Sequence, residues 1–228
     1  ESIVPRSHCP HCGKTIRWFS NIPVLSFILQ RGRCRDCGEK ISLSYPSVEL
    51  STALLFCLIF WQSDSTILAA KYCFFAFILL ASAVTDVYTA LRADYESGMI
   101  PDIYTIGGVF CGYVWAIYTE PGFLNALAGS GAGYFVIMIP GFLYAVLRKT
   151  EGIGEGDALM LAMSGSFLGV QALPAVVLMS ALIGLGIGVI VIIRTKNMRT
   201  KVPFAPAIAA ASLLWVFFSD RITQFIMY

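Results

Sequence analysis

The sequence predicts an α-helical polytopic membrane protein with a small N-terminal cytoplasmic zinc-ribbon-like domain, and three observations carry that prediction. Of the 228 residues, 57% are hydrophobic and 13% charged, and mean hydropathy is +0.74. An average soluble domain carries about twice that charge. From residue 46 onward, apolar runs alternate with short polar joints, and ahead of them stand two C-x-x-C knuckles. The same composition excludes disorder. A net charge of +2 gives no case for nucleic acid as a partner. The chain opens on Glu1, with no signal peptide in view, so a preceding segment is expected.

Residues 1–45 are polar, basic and cysteine-bearing, and form the expected metal-binding domain. Cys9-Pro10-His11-Cys12 and Cys34-Arg35-Asp36-Cys37 are separated by 21 residues, and each is followed by glycine, Gly13 or Gly38, which favours a tight turn. Four thiolates at this spacing suit a closed, tetrahedral, structural zinc site. Two disulfides and a rubredoxin-type iron centre are the alternatives, the first disfavoured by a cytoplasmic setting. His8 and His11 read as exposed neighbours, since four sulfurs complete the shell. Cys57, Cys73 and Cys111 lie inside apolar runs and read as small buried hydrophobes.

Residues 46–228 read as a membrane domain of about seven spans, at 46–62, 67–85, 103–118, 124–147, 158–170, 172–193 and 204–219. A straight span needs about 20 apolar residues, so the run at 158–170 is expected to be tilted, half-buried or set in thinned lipid. Small-residue clusters at 126–133 and 184–188 are expected to let helix backbones approach closely. Orientation follows from Lys and Arg. Seven lie in residues 1–45, two at Arg148 and Lys149, and four between Arg194 and Lys201, while the joints at 62–66, 119–123 and 171 hold none. With alternating spans every basic joint falls on one face, which should be cytoplasmic. Lys71 and Arg221 stand isolated towards the other face.

Asp86, Asp94 and Asp157 all fall on that basic face. Asp86 ends an apolar run of 19 residues, and Asp157 ends Gly152-Ile153-Gly154-Glu155-Gly156-Asp157 directly before the next run. A carboxylate at membrane depth is costly, and two at one depth point to a shared task such as aspartyl acid–base hydrolysis. The competing reading makes Asp157 an N-cap. Asp94 and Glu96 could belong to a solvated joint, Asp102 to a first helical turn beside Pro101, and Glu49 could pair with a cation or face interfacial water.

Taken together, these motifs resemble the prepilin peptidase, or type IV leader peptidase, family of GxGD-type membrane aspartyl proteases. The likeness runs through the knuckles, Asn21-Ile22-Pro23-Val24-Leu25-Ser26, residues 41–50, the aspartate-to-Ile100-Pro101-Asp102 segment, Gly154-Glu155-Gly156-Asp157 and Val202-Pro203-Phe204-Ala205-Pro206. The resemblance implies an enzyme of the bacterial inner membrane, working at its cytoplasmic face. It would cut the basic leader from type IV prepilins or type II secretion pseudopilins, then N-methylate the new terminus with S-adenosylmethionine. Beyond these substrates the expected partner is membrane lipid. Three departures stand out. The family's additional first helix is absent, Leu159 occupies a position usually held by Lys, and the family's first aspartate has two candidates. Asp94 has the usual eight-residue spacing to Asp102, and Asp86 has the helix end. Membrane depth favours Asp86 as the catalytic partner of Asp157, with Asp94 as the alternative and the residues between them an insertion. Rival readings are an aspartyl protease without methyl transfer, a cation channel or transporter, for which no internal repeat is visible, and a thiolate-iron redox protein.

Overall fold

The computed structural model describes residues 7–90, 100–148, 154–196 and 202–227. Among these residues the chain forms eight α-helices: α1 (Leu25–Leu29), α2 (Ser44–Gln62), α3 (Thr66–Ala90), α4 (Asp102–Tyr118), α5 (Phe123–Arg148), α6 (Glu155–Leu168), α7 (Leu173–Thr195) and α8 (Ala205–Met227). No strand occurs among them, only isolated bridges between His8 and Thr15 and between Arg33 and Lys40. The chain divides into two compact units, Glu1–Leu58 and Ile59–Tyr228.

In the first unit the two knuckles repeat one backbone pattern. Gly13 N–H donates to Cys9 O and Gly38 N–H to Cys34 O, each at 2.9 Å. Both glycines lie at positive φ, 68° and 73°, where a side chain would be strained. Val24 stands at φ 59°, ψ −48°, an outlier for a β-branched residue. Its N–H donates to Glu49 Oε2 at 2.7 Å, tying this turn to the second turn of α2. The half-buried Glu49 carboxylate thus takes a backbone N–H of its own unit.

The seven apolar runs each coincide with a helix, α2 to α8. Five stretches, Ser44–Gln62, Thr66–Ala90, Phe123–Leu147, Val170–Arg194 and Ala205–Gln224, are long and apolar enough to cross a membrane. The chain is an integral membrane protein. α4 and α6 are shorter, with 17 and 14 residues. α6 owes its shortness to its position. Ala158 and every residue from Met160 to Phe167 are buried, because α4, α5 and α8 pack around it and Phe167 stacks on Phe75 of α3 with ring centroids 4.6 Å apart. A helix enclosed by protein needs no lipid-facing apolar surface, so it can carry Ser164, Gly165 and Ser166. On α7, by contrast, Leu178, Leu182, Leu185 and Ile193 are exposed, as a lipid-facing flank requires.

Small residues set the closest helix contact. A Cβ on Gly129 of α5 would sit 2.4 Å from Gly165 O of α6, and one on Gly165 would sit 2.2 Å from Gly129 O. Two backbones in contact leave nothing that can give way. Gly165→Ala is expected to destabilise the chain by about 1–3 kcal/mol, the usual cost of overpacking, read as a lower unfolding midpoint in detergent. In the 184–188 cluster only Gly184 serves packing, against the Phe204 ring, while Gly186 and Gly188 face open space.

Lys71, expected to stand isolated, is fully buried. Its ammonium donates to Glu120 O and lies 5.2 Å from the Tyr72 ring centroid. Of the three cysteines expected to be buried, Cys73 is, Cys111 is partly so, and Cys57 is exposed on α2.

Candidate active site

The four cysteines of the first unit converge. Their sulfurs lie within 4.8 Å of one another, and Cys9 Sγ and Cys37 Sγ are 3.9 Å apart. Zinc bound to four thiolates at about 2.3 Å implies sulfur–sulfur edges of about 3.8 Å. The cluster therefore fits a tetrahedral metal ion with small adjustments, whereas a disulfide needs about 2.05 Å. The N–H groups of Cys12 and then His11 pull the Cys9 thiol down to about 6, while burial and the neighbouring thiols push Cys37 up to about 12, as expected of thiols crowded together without a cation. His8 and His11 are exposed and outside the cluster.

The two aspartates belong to the second unit. Asp86 sits on α3, one turn before its end, and is 5% exposed. Its Oδ2 accepts a hydrogen bond from Ala205 N–H at 3.2 Å, the first residue of α8. α8 begins Ala205-Pro206, and the Asp86 carboxylate takes one of the amide protons that every helix start leaves over.

Asp157 is the third residue of α6. The N-cap is Gly154, so the expectation that Asp157 caps the helix is corrected. A side chain at 154 would bring its Cβ to 3.4 Å from Asp157 Oδ2, and one at 156 would meet Ile100 at the same distance. Glycine at both positions leaves the carboxyl uncrowded. Asp157 lies ahead of the apolar run 158–170 and outside the five spans. Burial and then the Asp86 carboxylate push its carboxyl up to about 7. That influence puts the two carboxyls, 71 positions apart in the chain, within electrostatic reach of each other. Asp94 lies outside the described residues. Asp102 is exposed in the first turn of α4, with Pro101 as N-cap. Leu159 is half-buried on α6.

Sequence reasoning missed the Ala205 N–H. The motif Val202-Pro203-Phe204-Ala205-Pro206 was visible, but a backbone donor has no side-chain signature.

The helices thus build a polytopic membrane protein with a buried Asp86 and a half-buried Asp157 in one unit and a four-thiol cluster in the other. Residues 73–189 match the Type IV leader peptidase family, and residues 1–63 match the Bacterial Peptidase A24 N-terminal domain. The chain belongs to the Type IV leader peptidase family and is a peptidase. It is 38% identical over 228 residues to a "Prepilin leader peptidase/N-methyltransferase" of Aeromonas hydrophila, covering 97% of this chain and 74% of that protein. It is 36% identical over 222 residues to a protein of the same name from Burkholderia pseudomallei (strain K96243), covering 94% and 68%. With the "Type 4 prepilin-like proteins leader peptide-processing enzyme" of Escherichia coli O78:H11 it shares 34% identity over 218 residues, covering 94% and 76%. No solved structure matches the chain.

Proposed function

We propose that this chain cleaves the basic leader of type IV prepilins or type II secretion pseudopilins at the cytoplasmic face of the bacterial inner membrane, using Asp86 and Asp157. The observation that carries the reading is the pairing of these carboxyls, with Asp157 pushed up to about 7 by burial and by Asp86. A like charge within electrostatic reach, added to burial, makes it costly to ionise both, so the two carboxyls hold one proton near neutral pH. Asp157 carries that proton and Asp86 acts as base. Water attacks the scissile carbonyl carbon, giving its proton to Asp86 while Asp157 protonates the carbonyl oxygen. As the C–N bond breaks, the amine nitrogen takes the proton from Asp86 and the diol returns one to Asp157.

Residues 1–45 serve as a metal-binding domain and residues 46–228 as the protease domain. The metal is zinc in a structural role, since four protein thiolates leave no position for a reactive water. The excess of Lys and Arg in the joints supports the cytoplasmic orientation. The relatives' names support a second activity, N-methylation of the new terminus, for which the resemblance implies S-adenosylmethionine as methyl donor. No residue is assigned to that donor.

The partner of Asp157 is testable directly. In lipid or detergent, Asp86→Asn is expected to abolish cleavage of a prepilin, and Asp94→Asn is expected to retain it. The reverse pattern would transfer the role to Asp94 and sink the assignment of Asp86.

A further inference from the structure

One buried hydroxyl close to this pair is treated unlike its neighbours. On α3, Thr85 donates to Ala81 O at 2.7 Å and Thr89 to Thr85 O at 2.8 Å, the local bond a helical hydroxyl usually makes. On α6, Ser164 donates to Met160 O at 3.0 Å and also shares a 2.9 Å bond with Ser212 of α8. Ser82 does neither. It is fully buried, and among the described residues its Oγ is the buried side-chain oxygen without a hydrogen-bond partner.

Ser82 lies four residues before Asp86 on the same helix. Side chains at that spacing stack one above the other, with Cβ atoms about 5–6 Å apart. Helical side chains also lean towards the N-terminus, so the Asp86 carboxyl leans towards the turn that carries Ser82. Side chains at this spacing are able to bond directly, yet Ser82 Oγ has no hydrogen-bond partner among the described residues, which leaves it free for a bridging water. Buried polar groups that lack protein partners are commonly satisfied in this way.

We propose that Ser82 and Asp86 together hold a water molecule on the core side of the carboxyl pair. Oδ2 of Asp86 accepts from Ala205 N–H, and a carboxylate has acceptor sites left over for a water after that bond. Ser82 then acts as a positioning residue. It keeps a water beside the base in a wall otherwise built of Leu79, Ala83 and their neighbours. The inference rests on the reading of Asp86 as the catalytic base.

The test is steady-state cleavage of a prepilin by the full chain in lipid, with thermal unfolding measured alongside. Ser82→Ala is expected to lower kcat about tenfold, less than the loss of a direct transition-state donor, while KM changes less than about twofold. Ser82→Cys, close in volume but a poor donor, should behave alike, and Ser82→Thr should restore much of the rate. Parental kcat in Ser82→Ala or Ser82→Cys overturns the proposal, all the more if unfolding moves to higher temperature because an unsatisfied hydroxyl has been removed. Should Ser82→Ala fail to fold, Ser82→Cys decides by the same criterion. Asp86→Asn is the separate arm. Cleavage retained there removes the carboxyl pair itself. Cleavage lost there, with parental kcat in Ser82→Ala, removes only the water site.

Discussion

Asp157→Asn is expected to lower kcat for prepilin cleavage by about 10²- to 10⁴-fold, the span of general acid–base contributions, with little change in KM. Asparagine keeps the shape of the side chain and cannot deliver a proton. The unmodified chain should show the corresponding pH dependence. With its carboxyl pushed up to about 7, Asp157 is protonated below that pH and loses its proton as pH rises through it, so kcat should fall on the alkaline side. Stability has the opposite interest. Between the ordinary carboxylate range and about 7, an unfolded chain ionises this group while the folded one keeps the proton. Folding is therefore progressively penalised as pH rises across that window and stays penalised above it. Asp157→Asn should be at least as stable as the parent at pH 8 and nearly inactive, a combination that misfolding cannot produce. Retained cleavage in this variant would end the proposed mechanism.

Removal of the metal, or Cys34→Ser, is expected to unfold the knuckle region while the helices of the second unit persist. Among the described residues of the first unit, Cys9 is the one that is buried. No apolar core lies behind residues 7–43 to hold them without an ion. Structural zinc in comparable small domains is worth about 10–16 kcal/mol of binding free energy, which is folding free energy there. The measurements are zinc released per chain on chelation, protease sensitivity within residues 7–43, and helical circular dichroism, which should change little. A chain that stays protease-resistant without metal would refute the structural role.

Much of this architecture was legible in the sequence because its signals are local. Apolar runs announced α2 to α8, and the spacing of Cys9, Cys12, Cys34 and Cys37 announced their cluster. Asp86 drew attention through the cost of a carboxylate at the end of an apolar run. What escaped were contacts between distant segments. Nothing near Asp86 reveals that a backbone amide 119 residues later binds it. Nothing near Lys71 reveals the carbonyl of Glu120. Glu49 was weighed against cations and water, and its partner is the N–H of Val24, a residue in an unusual backbone conformation. Asp157 matched a cap in composition, yet the helix begins at Glu155, with Gly154 in that place. The brevity of the run at 158–170 was a clue to lipid adjustment in one view and to enclosure in another, and only packing distinguishes them.

The backbone contact between Gly129 and Gly165 has a bearing on the depth at which Asp157 sits. With main chain against main chain, α5 and α6 are packed at their closest approach here, and Asp157 stands eight residues before Gly165 on the same helix. The level of that acid is thus registered to the protein rather than to the surrounding lipid. A thicker or thinner bilayer is expected to move α5 and α6 together, so that Asp157 keeps its level relative to α5.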